Sequence, residues 1–184
     1  MRIRQLGDPI LRQTAKVVKQ EDFSSSRVKQ ILAHMREVLN DIKAISDENG
    51  NALSAPQLGY SVRIVLLRIE QEFVAMINPE FDAVDHATFA FEEECFSMYQ
   101  LRGTVERYRH IAVNYLDEDN NPQSLKLKGE NAGLLQHEVD HLDGVLFIDR
   151  LNEDESPRSI DYDLREHPER LTQVKQMLEY MVGV

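Results

Sequence analysis

The chain has no tryptophan, one cysteine and only 21 lysines and arginines against 32 aspartates and glutamates. A single thiol excludes an internal disulfide. Cys95 is therefore either a small buried hydrophobe or a residue kept for its reactivity. The shortage of basic residues leaves a formal net charge of −11. Such a chain repels nucleic-acid phosphates, and no basic stripe offsets this, so direct nucleic-acid binding is not expected. No apolar run approaches the roughly 20 residues that cross a bilayer, which argues against a membrane partner. Residues 1–8 lack the apolar core of a secretory signal, so a cytoplasmic location is the expectation. Internal repeats and low-complexity tracts are missing as well. What remains is ordinary globular composition, 42% hydrophobic and 29% charged over 184 residues, enough for one domain with its own core.

The apolar residues recur with recognisable periods. Val28, Ile31, Leu32, Met35, Val38, Leu39 and Ile42 predict an amphipathic helix over 25–43, with Ser24 to Ser26 as capping candidates. Residues 47–51 read as a loop. Short strand-like runs follow over 63–69 and 73–77, the second closed by Asn78-Pro79. A second strand group is expected after Cys95, over 104–108, 111–115 and 124–128. Residues 130–142 predict a helix with Gly144 as its stop. Residues 149–163 read as a surface connection, and 168–181 as a last helix with Leu171, Val174, Leu178 and Met181 on its packing stripe. The order argues for an α+β fold, with antiparallel or mixed β-sheets packed around the helix at 130–142. Residues 1–150 are expected to be the catalytic unit, and 151–184 a C-terminal extension with a helix in the same single domain.

That helix carries the chemistry. Residues 136–141 read Gln-His-Glu-Val-Asp-His, and positions four apart share a helical face, so His137 and His141 can present imidazoles to one ion. Leu134, His137, Glu138 and His141 fall on one side of the wheel; Ala132, Leu135, Val139 and Leu142 fall on the other. One face is built for a metal, the other for packing. A catalytic site needs a third protein ligand and an open position. The protease continuation that would supply a third histidine ends instead at Phe147, leaving Glu155, Glu166 or Cys95 as candidates, with a thiolate the better ligand for a borderline ion. His34, His86, His110 and His167 stand in no motif.

Three segments resemble the peptide deformylase family. Residues 50–59, Gly-Asn-Ala-Leu-Ser-Ala-Pro-Gln-Leu-Gly, are similar to its G-x-G-x-A-A-P-Q-x-G; Glu93-Glu94-Cys95-Phe96-Ser97 to E-G-C-L-S; and residues 136–141 match Q-H-E-x-D-H in full. The resemblance covers about residues 1–150. It implies that Cys95, His137 and His141 hold one divalent ion, ferrous iron in this family with zinc, nickel or cobalt as substitutes. Glu138 would be the general acid/base, with Gln57 and the backbone N–H of Phe96 as donors to the reacting oxygen. Gly50, Asn51, Ala52, Glu94, Arg102 and Leu134 would contact substrate. The implied partners are N-formylmethionyl peptides or nascent chains, with contact to the ribosome left open.

The chain departs from the pattern where the family binds substrate. Ala52 and Glu94 replace glycines, Ser54 replaces an alanine, Asn51 stands at an apolar position and Tyr99 where proline is common. A Glu94 carboxylate would point near the groove or out to solvent. Two other readings stay open: a relative that binds N-termini with weak or no hydrolysis, and a metalloprotease using a downstream carboxylate.

Overall fold

A computed structural model describes residues 3–152 and 154–183. Its helices are α1 (Gln20–Ser24), α2 (Arg27–Ile45), α3 (Glu130–Leu142), α4 (Ile160–Glu166) and α5 (Leu171–Val182). Its strands are β1 (Ala52–Ser54), β2 (Ile64–Ile69), β3 (Glu72–Ala83), β4 (Thr88–Glu94), β5 (Leu101–Tyr108), β6 (His110–Leu116), β7 (Pro122–Lys128) and β8 (Arg158–Ser159). A five-stranded sheet runs β1-β2-β3-β6-β7 and a three-stranded sheet runs β4-β5-β8, with every pairing antiparallel. Helix α3 packs against β1, β2, β5 and β7, so members of both sheets surround it. The α+β expectation, with antiparallel sheets around the motif helix, describes this architecture.

Strand alternation assigns the core. On β2, Ile64 and Leu66 join the cluster built on α2, while Val65 and Leu67 join the cluster built on α3. Successive side chains point to opposite faces, and here both faces are covered, so all four are fully buried. The seven apolar positions of α2 are buried in the first cluster. Ala132, Leu135, Val139 and Leu142 of α3 lie in the second, the packing side expected from the helical wheel. A third cluster of Leu11, Cys95, Met98, Val105, Leu146 and Phe147 closes over the end of the three-stranded sheet.

Several expectations need correction. Asn78-Pro79 does not close a strand: β3 continues to Ala83 through a register shift between Ile77 and Glu80. Asn78 takes the left-handed conformation there (φ 51°), and its side chain donates to the Val18 carbonyl (2.9 Å) and accepts from the Val18 N–H (2.8 Å). A bulge accommodates the ladder donor that Pro79 cannot supply. Strand β4, before Cys95, was not expected; it pairs along its length with β5. The surface connection expected over 149–163 contains β8 and the start of α4, whose Ile160 is buried. In the last helix the buried stripe is Val174, Met177 and Met181, whereas Leu171 is 44% exposed; Pro168–Arg170 forms a separate short turn, and α5 begins at Leu171.

Gly50 closes the loop from α2 into β1. It has φ +80°, and a Cβ there would meet the Leu39 carbonyl oxygen at 2.6 Å, so only glycine lets this loop lie against α2. Met177, Val174 and Met181 pack α5 into the α2 cluster. Met177→Ala is expected to cost about 2–5 kcal/mol, within one cooperative urea transition. A separate early transition that leaves the main one unmoved would make the segment an independent appendage.

Candidate metal centre and cleft

Helix α3 and the end of β4 build the centre together. His137 and His141 stand one turn apart on α3, with ring centroids 4.9 Å apart at 74°. Cys95 follows β4 directly, where the pairs Glu93↔Gly103 and Glu94↔Arg102 fix the strand on β5. Its Sγ lies 3.2 Å from His141 Nε2. One ligand atom from each of Cys95, His137 and His141 falls within 4.8 Å of the others, and all three residues are buried. The donor set, one sulfur and two imidazole nitrogens, fits a borderline divalent cation that takes three protein ligands. Burial pushes the His141 pKa well below its ordinary value, with His137, Arg107 and Arg12 adding to the effect. The neutral ring it favours is the form that binds metal. Glu155 and Glu166, the alternative third ligands, are exposed and do not belong to this cluster.

A buried ionic chain holds His137. Glu93, 1% exposed, meets His137 Nδ1 through Oε2 at 2.6 Å and accepts from Arg107 Nε through Oε1 at 2.6 Å. Arg107 Nη1 continues to Asp140 Oδ2 at 2.6 Å, and Asp140 Oδ1 receives Arg150 Nη2 at 2.6 Å. Burial alone would raise the Glu93 pKa, but hydrogen bonding and charge from His137 and Arg107 outweigh it and hold the group below its ordinary value. For His137, burial is outweighed by the Cys95 sulfur and Glu93, which raise its pKa well above the ordinary imidazole value. Gln136 anchors the same helix to β5: it accepts from the Tyr108 N–H (3.0 Å) and donates to the Tyr108 carbonyl (2.9 Å).

Sequence reasoning singled out neither Arg107 nor Asp140. Their signal is visible in retrospect. Arg107 is two residues beyond Val105 on an alternating strand, so it points to the buried side, and the motif's aspartate sits on α3 opposite that side chain.

Gln57 and Glu138 face the same space. In the turn Ala55–Leu58, Gln57 Oε1 accepts from the Ser54 N–H (2.9 Å) and the Ser54 hydroxyl (3.0 Å). Both acceptor bonds lie on one side, so Nε2 is turned towards Cys95 Sγ, 3.7 Å away. Ser54, a departure from the family motif, thus adds a hydrogen bond that orients the glutamine. Glu138 is 4% exposed, and its Oε2 has no hydrogen-bond partner among the described residues. Burial raises its pKa to about 7, with His137 and Ser54 pulling it down and Glu93 pushing it up. Phe96 begins the turn Phe96–Met98, where the first N–H groups have no helical acceptor.

A cleft of about 190 Å³ opens on this centre. Gly50, Asn51, Ala52 and Leu134 line it, as do Gln57, Glu94, Cys95, Phe96, His137 and Glu138. Arg102 does not. It is 2% exposed behind the wall, with Nη1 donating to the Tyr99 (2.6 Å) and Leu101 (2.9 Å) carbonyls and Nη2 3.0 Å from Glu94 Oε2. A buried guanidinium needs a carboxylate, and Glu94 provides the nearest one. Asn51 is tied by Nδ2 to the Glu48 carbonyl at 2.8 Å, so its amide is partly satisfied within the loop.

If the three residues bind one ion, Cys95→Ser should strip most of the metal from purified protein, measured as metal per chain by elemental analysis. Full retention would move the third ligand elsewhere.

Residues 1–157 match the model of the polypeptide deformylase family. The peptide deformylase of Dictyoglomus turgidum is 36% identical over 154 residues, 84% of this chain and 94% of that protein. That of Treponema pallidum is 33% identical over 153 residues, covering 83% and 89%. The crystal structure of the Thermotoga maritima peptide deformylase superimposes with a TM-score of 0.70 at 37% identity, covering 82% of this chain and 97% of that one. An actinonin complex of a Synechococcus elongatus peptide deformylase reaches 0.73 at 27% identity and spans 96% of this chain and 85% of that one. With its motifs in order around one buried centre, this chain belongs to the peptide deformylase family.

Proposed function

We propose that this protein hydrolyses the N-formyl group from the initiator methionine of nascent polypeptides, with Glu138 as general acid/base and a divalent ion held by Cys95, His137 and His141. The observation that carries the reading is the Glu138 carboxylate: buried, without a partner at Oε2, and adjacent in sequence to a ligand of the thiolate–imidazole cluster. The ion, ferrous iron by the family's habit with Zn²⁺, Ni²⁺ or Co²⁺ as substitutes, would supply Lewis acidity that acidifies water and polarises the formyl carbonyl.

The protein's own groups account for the rest. A carboxyl with a pKa of about 7 can take a proton from the attacking water and return it to the departing amine. Water adds to the formyl carbon, the C–N bond breaks, and formate and a free α-amine leave. Gln57 Nε2, oriented by Ser54, and the Phe96 N–H would donate to the carbonyl oxygen as negative charge develops on it. Gly50, Asn51, Ala52 and Leu134 would receive the methionine side chain, and Arg102 would act on substrate only through Glu94. Action on nascent chains would place the protein in the cytoplasm, within reach of the ribosome. No helix among the described residues is long and apolar enough to cross a membrane.

The test is formate release from formyl-Met-Ala-Ala by protein reconstituted anaerobically with Fe²⁺ or Ni²⁺. Glu138→Ala should abolish release while keeping its metal. Gln57→Ala should lower kcat about a hundred- to thousandfold, again with metal retained. No formate from metal-replete parent protein would leave a binding role, and an unimpaired Glu138→Ala would remove the proton carrier from the scheme.

A further inference from the structure

We propose that residues 3–6 act as a spacer between the two turns that carry the donors to the reacting oxygen, and that Gln5 is a positioning residue for that pair. This rests on the deformylase reading and adds a residue to it. The two donors come from different sheets. Gln57 lies in the turn Ala55–Leu58, directly after β1 of the five-stranded sheet; Phe96 opens the turn Phe96–Met98, after β4 of the three-stranded sheet. Two donors assist one oxygen only when both are aimed at the same point before charge develops there. Ser54 fixes the direction of the Gln57 amide within its own turn. What remains to be set is the placement of that turn against Phe96, and no strand pairing among the described residues joins the two sheets. The 3.7 Å approach of Gln57 Nε2 to Cys95 Sγ is too long to set it.

Residues 3–6 cross that gap. The Arg4 N–H donates to the Gln57 carbonyl at 2.7 Å, and the Leu6 N–H donates to the Ser97 carbonyl at 2.7 Å. The Cα atoms of two residues so close in sequence can stand no more than about 7 Å apart, so the two bonds limit how far the turns can separate. Gln5, between them, adds the side-chain link. Its Nε2 donates to the Phe96 carbonyl (3.1 Å) and to the Ile3 carbonyl of its own segment (3.2 Å). One amide thus ties the residue that carries the second donor to the segment that holds the first. The segment itself is anchored: Ile3 is fully buried in the α2 cluster, and its N–H reaches the Met181 carbonyl of α5 at 3.3 Å. The Arg4 side chain closes over the far end of the Gln57 turn, where a Cβ on Gly59 would meet its Nε at 2.8 Å. Gln5 touches neither the cleft nor the metal cluster, so its effect on the reaction runs through Phe96 and Gln57.

The experiment measures kcat and KM for formyl-Met-Ala-Ala with metal-reconstituted full-length protein carrying Gln5→Ala or Gln5→Glu, each alone and combined with Gln57→Ala. Gln5→Glu keeps the length of the side chain, removes the donor, and serves if Gln5→Ala does not fold. Each should lower kcat about tenfold, less than the loss of an aimed donor, with KM within about twofold and metal per chain as in the parent. In the Gln57→Ala background the same change should cost less than about twofold, because a pair with one donor missing has no spacing left to hold. A kcat loss that persists undiminished in that background, or a loss that falls on KM or metal content instead, would overturn the positioning role and leave Gln5 a structural residue. Parent-like kcat in both single variants would overturn it too, with the deformylase reading still standing. No formate from the parent protein at full metal loading would overturn the underlying reading and the spacer with it.

Discussion

Everything at the centre depends on one buried carboxylate. Glu93 meets His137 of α3 with one oxygen and Arg107 of β5 with the other, and it sits two residues before Cys95 on β4. A charge removed from water is costly unless its partners are fixed, so the bonds of Glu93 hold β4, β5 and α3 in one relative position. That position brings the sulfur of Cys95 within 3.2 Å of His141. Asp140 extends the same logic: as the second acceptor for Arg107 and a partner of Arg150, it ties the helix to the chain beyond it. A buried ionic chain of this kind contributes little net stability. What it gives is geometry, since a ligating imidazole with its other nitrogen bonded to a carboxylate cannot rotate freely.

The motif aspartate therefore has a structural reason. His137, Glu138 and His141 are the residues of α3 to which the proposal gives the chemistry, and Asp140 and Gln136 supply attachment to β5. The departures near the cleft also fall into place as internal bonds. Ser54 adds its hydroxyl to the bonds that orient Gln57, and Glu94 is the nearest carboxylate to a guanidinium that is 2% exposed. Neither replacement is a free side chain in the cleft. Both have partners that constrain where their polar atoms point.

Much of this was legible in the sequence because it is local. Helix α3 matches its expected bounds, for its apolar positions recur at helical spacing and its stop is a glycine; α2 lies two residues beyond the expected span. The three residues of the candidate metal cluster stand in short motifs. What was not legible is tertiary. Strand β4 is hidden by its glutamates, of which Glu93 turns inward and Glu92 and Glu94 do not. The continuation of β3 past Pro79 depends on Asn78 finding Val18, sixty residues away in the chain. Arg102 was expected at the substrate and stands behind the wall: its bonds to the Tyr99 and Leu101 carbonyls are local, but its burial and its pairing with Glu94 are set by the register of β4 on β5.

The most direct measurement is the metal affinity of Glu93→Gln, compared with the parent by competition with a chromogenic chelator after circular dichroism shows that the fold is kept. The amide keeps the shape but loses the charge that orients His137 and balances Arg107. Affinity should fall about 10–100-fold, as for other partners of metal-bound histidines. Parent-like affinity in a folded variant would contradict the dependence of the centre on Glu93.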